Sequence, residues 1–247
     1  MSNELERMLS DFESLRKQCS TFSFLPRDEN LQEEAVEDAE NFISEIEEFL
    51  NDSSKSEEKL NKALSLKYAA KAMKSELAMW IDLKSENWGN AWENLIDAQE
   101  HLQNSWTAHE IMRSEPVMNL STKYNLVEKF VFPPQNFTSP GFVVDKFKCS
   151  ICGEDYNGDQ CDHIESRAYS GELCRKVVDG LNLREVSLVD EPEDKRHRIT
   201  RFTTEDGMVR DKMTWEKFDP SEVPDFSEFE EGERIFEGIV MTADDIE

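Results

Sequence analysis

Cys149-Ser150-Ile151-Cys152-Gly153 places two thiols three positions apart, with a glycine immediately after the second. Two thiolates at this spacing can hold one metal ion from a tight turn, with backbone amides facing the sulfurs. Cys161-Asp162-His163 follows after a short loop, and Cys174 closes the segment. Cys149, Cys152, Cys161 and His163 would form a tetrahedral shell of three thiolates and one imidazole, a set that suits zinc. Cys174 is a fifth candidate. If Cys161 turns away, the shell becomes Cys149, Cys152, His163 and Cys174; otherwise Cys174 is a small buried residue beside Val177 and Val178 on a short helix, 171–179. One structural zinc ion is the expected cofactor, because four strong protein ligands leave no open position for water. Glu154, Asp155, Asp162 and Glu165 lie close by, as carboxylates will in an acidic chain. No catalytic residue is assigned.

The elements that must position these ligands divide the chain in two. Leu5, Met8, Leu9, Phe12, Leu15 and Cys19 recur at helical spacing, which predicts a helix over 1–20 with Cys19 in its apolar stripe. A second helix is expected over 29–51, where Leu31, Ala35, Val36, Ala39, Phe42, Ile43, Ile46, Phe49 and Leu50 line one face. Ser54 and Glu57 have capping-box spacing for a third, running to about Leu83. Ser85 could cap a fourth over 86–112, which carries Trp88, Trp92 and Trp106, and a short fifth is expected over 121–131. Pro133-Pro134 then marks a boundary. Beyond it, residues 142–144, 186–189 and 199–204 read as strands. The expected fold class is α+β: an acidic bundle of long antiparallel helices (1–132), a small zinc-stabilised β-rich module (140–214) and an acidic extended tail (215–247) with Phe218, Phe226, Phe229 and Phe236.

Charge narrows the partners. The 247-residue chain carries 54 acidic and 28 basic residues, a formal net charge of -26. Residues 1–60 hold 17 acidic and 6 basic residues, and residues 215–247 hold 12 and 2. Such a field opposes direct nucleic-acid binding, which depends on neutralising phosphates, and disfavours anionic membrane surfaces. A protein partner with a basic surface fits it, and so does mimicry of nucleic acid. The broad helical stripes and their tryptophans make the helical half the expected partner surface. No window reaches the roughly 18 apolar residues of a membrane span, and the first residues lack a signal-peptide apolar stretch, so a cytoplasmic location is expected. Four of the five cysteines crowd into 149–174, which in a reducing compartment points to metal rather than disulfides.

The segment CSICGEDYNGDQCDHIESRAYSGELC, residues 149–174, resembles a zinc-cluster segment of prohead-protease-like proteins of tailed bacteriophages. Residues 183–192, LREVSLVDEP, resemble a strand and turn of the same family. The resemblance covers about 140–200. It implies a compact β fold and a serine–histidine protease activity, for which Ser187 with His163 or His197 would be the available pair. The chain departs from the pattern in two places: acidic helices stand where the family has the part that supplies its nucleophile, and Glu193 follows Pro192 where alanine is usual. With no HExxH or GxSxG motif and no glycine-rich phosphate loop, the residues favour a non-enzymatic zinc-binding interaction or adaptor protein, of phage or prophage origin on the resemblance. A divergent capsid-maturation protease and an acidic nucleic-acid mimic are the alternatives.

Overall fold

A computed structural model describes residues 2–223 and 236–238. The chain is α+β. Among the described residues five helices come first: α1 (Ser2–Phe22), α2 (Glu29–Leu50), α3 (Glu57–Lys84), α4 (Trp88–Ala108) and α5 (Glu115–Val131), with a 3-10 turn, Glu110–Met112, between the last two. Eight strands follow: β1 (Phe137–Cys149), β2 (Ala168–Tyr169), β3 (Glu172–Leu173), β4 (Lys176–Val189), β5 (Ile199–Thr203), β6 (Val209–Asp211), β7 (Lys217–Phe218) and β8 (Phe236–Gly238). None of the described helices is long and apolar enough to cross a membrane.

The chain forms two compact units. One combines residues 1–128 with 146–179, and the other combines 129–145 with 180–247. This corrects the linear division into helical bundle, zinc module and tail. The cysteine-rich segment belongs with the helices, because its Ala168 and Leu173 are buried on them. Leu64 of α3 and Ala108 of α4 share one buried cluster with Ala168 and Leu173, bordered by Leu50 and Tyr68. A segment with so little apolar surface of its own gains a core by borrowing one.

Within the first unit, the helical periodicity does what the sequence predicts. Met8, Phe12, Leu15 and Cys19 of α1 are buried, as are Ala35, Ala39, Phe42, Ile46 and Phe49 of α2. Helix α3 is central: it packs against α1, α2 and α4, and it buries residues around most of its circumference. Asp28 caps α2 by accepting from the Asn30 and Leu31 N–H groups. The predicted capping box at Ser54 does not form. Helix α3 begins after Ser56, which makes no side-chain cap, while Ser54 donates to Asp52 instead. Ser85 ends α3 rather than starting α4. Trp80 and Trp92 are buried inside the bundle, so these two rings are core and not partner surface.

One charged pair is buried in this core. Glu76 of α3 is 2% exposed and is ion-paired with Lys123 of α5. Tyr124 beside it is fully buried, and burial together with the Glu76 charge pushes its hydroxyl well above the usual range. Burial likewise drives the Cys19 thiol up to about 12, so Cys19 is an inert core residue.

The second unit holds a four-stranded sheet in the order β7-β6-β5-β8. Its pairings are antiparallel, with Phe202 opposite Arg210 and Arg210 opposite Lys217. Val209, Val223 and Phe218 form the core on one side. Residues 217–223 and 236–238 are therefore folded parts of the region expected to be an extended tail; Phe226 and Phe229 lie outside the described residues. Strands β1 and β4 pair as a two-stranded ribbon, longer than the predicted 142–144 and 186–189.

Removing one member of a buried ion pair leaves the other charge unpaired, at a cost of about 3–5 kcal/mol. Lys123→Met is expected to destabilise the helical unit by about 3 kcal/mol in urea unfolding. Phe130→Ala, at a side chain 82% exposed, should change it by no more than about 0.5 kcal/mol.

Candidate metal centre

Cys149 is the last residue of β1, and the chain turns sharply after it. The Gly153 N–H donates to the Cys149 carbonyl at 2.8 Å, and the Cys149 N–H to the Glu154 carbonyl at 2.9 Å. Gly153 has φ +75°, a left-handed conformation that glycine adopts without penalty. This turn brings the Cys152 thiol back beside Cys149. Cys161 and His163 reach the same point from the following loop. One ligand atom from each of Cys149, Cys152, Cys161 and His163 lies within 4.8 Å of every other.

Cys161 and His163, two residues apart, both point inward, with Sγ and Nδ1 3.9 Å apart. A tetrahedral zinc with bonds of about 2.3 Å to sulfur and 2.0–2.1 Å to nitrogen would set that edge at about 3.6 Å and a sulfur–sulfur edge at about 3.8 Å. The donors are thus near the spacing that one ion requires, and their chemistry suits a metal that prefers thiolate and imidazole. Cys174 stands next to the group. Its Sγ is 3.7 Å from that of Cys149, but it is not among the four mutually close donors. Cys174 is fully buried, between β3 and β4, and the helix expected over 171–179 does not exist. The Ser170-Gly171 turn there has φ +47° and +89°, which no helix tolerates.

The thiols differ electrostatically. Burial alone would raise Cys149, but the N–H groups of Cys152 and Ile151 and the thiols of Cys174 and Cys152 donate to its sulfur and pull it down to about 6. Burial pushes Cys174 up to about 11, and the neighbouring Cys149 adds to the shift. For Cys161 the His163 N–H pulls downward, but burial and the Cys149 and Cys152 sulfurs outweigh it, and the net shift is upward. The protein thus favours a thiolate at Cys149, the sulfur around which the other donors gather.

Two tyrosines hold the histidine loop, and sequence reasoning gave them no role. The Tyr169 hydroxyl accepts from the Ile164 N–H at 3.0 Å, and the Tyr156 hydroxyl from the Glu165 N–H at 2.8 Å. The Tyr169 ring also stands edge-to-face against the His163 ring, with centroids 4.7 Å apart. Of the nearby carboxylates, Glu165 is ion-paired with Lys176 at 2.7 Å and Asp155 faces Lys146 at 3.7 Å. Ser187 is exposed on β4 and has no histidine hydrogen-bonded to it among the described residues.

The segment is fastened to the bundle by the β2–β3 hairpin. Asn61 of α3 donates to the Ala168 carbonyl at 3.3 Å and accepts from the Gly171 N–H at 2.9 Å, so one side chain satisfies both sides of the turn. A Cβ at Gly171 would lie 3.0 Å from Leu50 and 3.3 Å from Leu60. Arg175 bonds Asn104 of α4. Asn61 was invisible as a site residue because its partners are more than a hundred positions away.

No protein family, curated protein or solved structure matches the chain. The resemblance to phage prohead-protease-like proteins therefore stands on its motif residues alone.

Asn61→Ala should cost about 1–3 kcal/mol, because it leaves buried backbone groups without partners. Gly171→Ala should cost at least as much, since it adds both a clash and a strained φ. Hydrogen exchange is expected to show the loss first at residues 164–175 and only then in α3.

Proposed function

We propose that Cys149, Cys152, Cys161 and His163 hold one zinc ion in a closed structural site, and that the protein is a non-enzymatic interaction or adaptor protein. The observation that carries this reading is the convergence of four such donors, from the end of β1, the turn after it and the following loop, to within 4.8 Å of one another. A bound zinc would cross-link the turn after β1 to the loop before β2. That cross-link replaces the apolar core that this short segment lacks. Two of the neighbouring carboxylates are engaged by lysines, which supports a structural rather than a hydrolytic role. The acidic surface favours a protein partner with basic character over nucleic acid or anionic lipid. A phage or prophage setting follows from residues 149–174 and 183–192 only.

Purified protein should contain close to one equivalent of zinc by elemental analysis. Alanine at Cys149, Cys152, Cys161 or His163 should remove it, while Cys174→Ala should retain it. Loss of zinc from Cys174→Ala with retention in His163→Ala would replace His163 by Cys174 in the shell. Chelation should lower the melting temperature of the helical unit, because the metal segment is part of it. A metal-free protein with unchanged melting would refute the site.

A further inference from the structure

The four-stranded sheet of the second unit carries a basic and aromatic face that the zinc reading leaves unused. Phe202, Arg210 and Lys217 form one cross-strand row, and so project from the same face. The Lys212 N–H donates to the Thr200 carbonyl, which places Lys212 beside this row. Trp215 completes it. The Trp215 N–H donates to the Asp211 carbonyl at 3.1 Å, and its φ of 61° is one a bulky residue rarely adopts. That turn sets the indole edge-on to Phe202 at 6.3 Å, with the Arg210 guanidinium 5.1 Å and the Lys212 ammonium 5.7 Å from its centre.

The charges of this unit are unevenly matched. Lys217 is paired with Asp206 at 2.5 Å, Arg201 with Glu237 at 3.1 Å, and Arg196 with Asp194 at 3.1 Å. Among the described residues, Arg210 and Lys212 have ring contacts but no ion pair. The Arg210 Nε is buried and has no hydrogen-bond acceptor. In a protein with almost twice as many acidic as basic residues, these two adjacent cations have no carboxylate partner among the described residues. Burial holds Lys212 below the usual lysine range.

A cavity of about 330 Å³ opens at Lys212. Phe137, Leu188, Val189, Ile199 and Phe202 make it mainly apolar, and beside Lys212 its polar groups are the Asn136 amide and the Asp190 carboxylate. Its size suits a small organic molecule. We propose that this cavity binds a small organic monoanion, a carboxylate on a flat apolar body, with the anionic group on Lys212 and the body against Phe202 and the aliphatic wall. Charge complementarity selects the anion, because Lys212 has no ion pair among the described residues and a neutral ligand would leave it so. The small apolar volume suits a compact body over a polymer, and the chain's negative field opposes a polyanion.

The test is calorimetric titration of the full chain with 2-naphthoate, its neutral amide 2-naphthamide, and a twelve-residue oligothymidylate. The naphthoate should bind at least about tenfold more tightly than the amide, the scale of one charge-assisted contact. Lys212→Met should abolish that preference, and Lys212→Arg should restore most of it, which separates loss of charge from loss of fold. Equal affinities for acid and amide, no binding of either, or an undiminished preference in Lys212→Met would each overturn the proposal. Tighter binding of the oligonucleotide than of naphthoate would do so too, because the face would then be a strand-binding surface.

Discussion

The contact on which the metal segment depends is the seating of the β2–β3 turn on α3. Asn61 bonds the Ala168 carbonyl and the Gly171 N–H from one side chain, while Leu50 and Leu60 close over Gly171. Ala168 and Leu173 then enter the same buried cluster as Leu64 and Ala108. Remove that seat and the segment has two strands of two residues each, which cannot stand alone in water. Held there, the turn fixes Tyr169, Tyr169 fixes the loop at Ile164, and the loop presents His163. The metal ligands are thus ordered from the bundle outward, not from the metal inward alone.

The abundance of charge contributes less to this architecture than its visibility suggests. Lys67 with Glu47, Lys74 with Glu40 and Lys62 with Glu58 are exposed or half-exposed pairs around α3. Pairs of this kind contribute about 0–1 kcal/mol each. The stabilising interior is apolar: Phe12 against Phe42, and Leu66, Met73, Leu77, Met79, Trp92 and Leu95 with almost no exposure. Acidic residues fill the outward positions of the helices, where they keep the surface solvated and repel like-charged polymers. Glu76 is the exception, and its carboxylate is tolerated in the core because Lys123 reaches it.

Much of the helical half was legible in the sequence, since a repeat of 3.6 residues is a local property. Helix α2 was read to within a residue of its observed span because its apolar stripe is unbroken. The donor cluster was legible for the same reason, as its spacing is short. What failed was either non-local or conformational. The Cys174 helix was read from Val177 and Val178, but Ser170 and Gly171 occupy left-handed conformations and reverse the chain instead. The linear domain boundary failed because composition changes at Pro133-Pro134, whereas packing returns residues 146–179 to the helices. Asn61 looks like any polar residue in a helix until its partners arrive from far along the chain.

Cys174 shows why a donor count differs from a coordination shell. Five candidate ligands lie in one short segment, and the fifth sulfur is 3.7 Å from the first. Its position, however, is fixed by backbone bonds that need no metal: the Cys174 N–H donates to the Arg167 carbonyl, and the Cys174 carbonyl accepts from the Ser166 N–H. Those bonds, with its burial, are sufficient reason for a small residue there. Cys152, Cys161 and His163 lie on turns and loops, outside any strand or helix. Their convergence on Cys149 is not a by-product of a ladder or a helix face. Donors that converge from turns and loops are better evidence of a ligand than a donor already placed by the sheet.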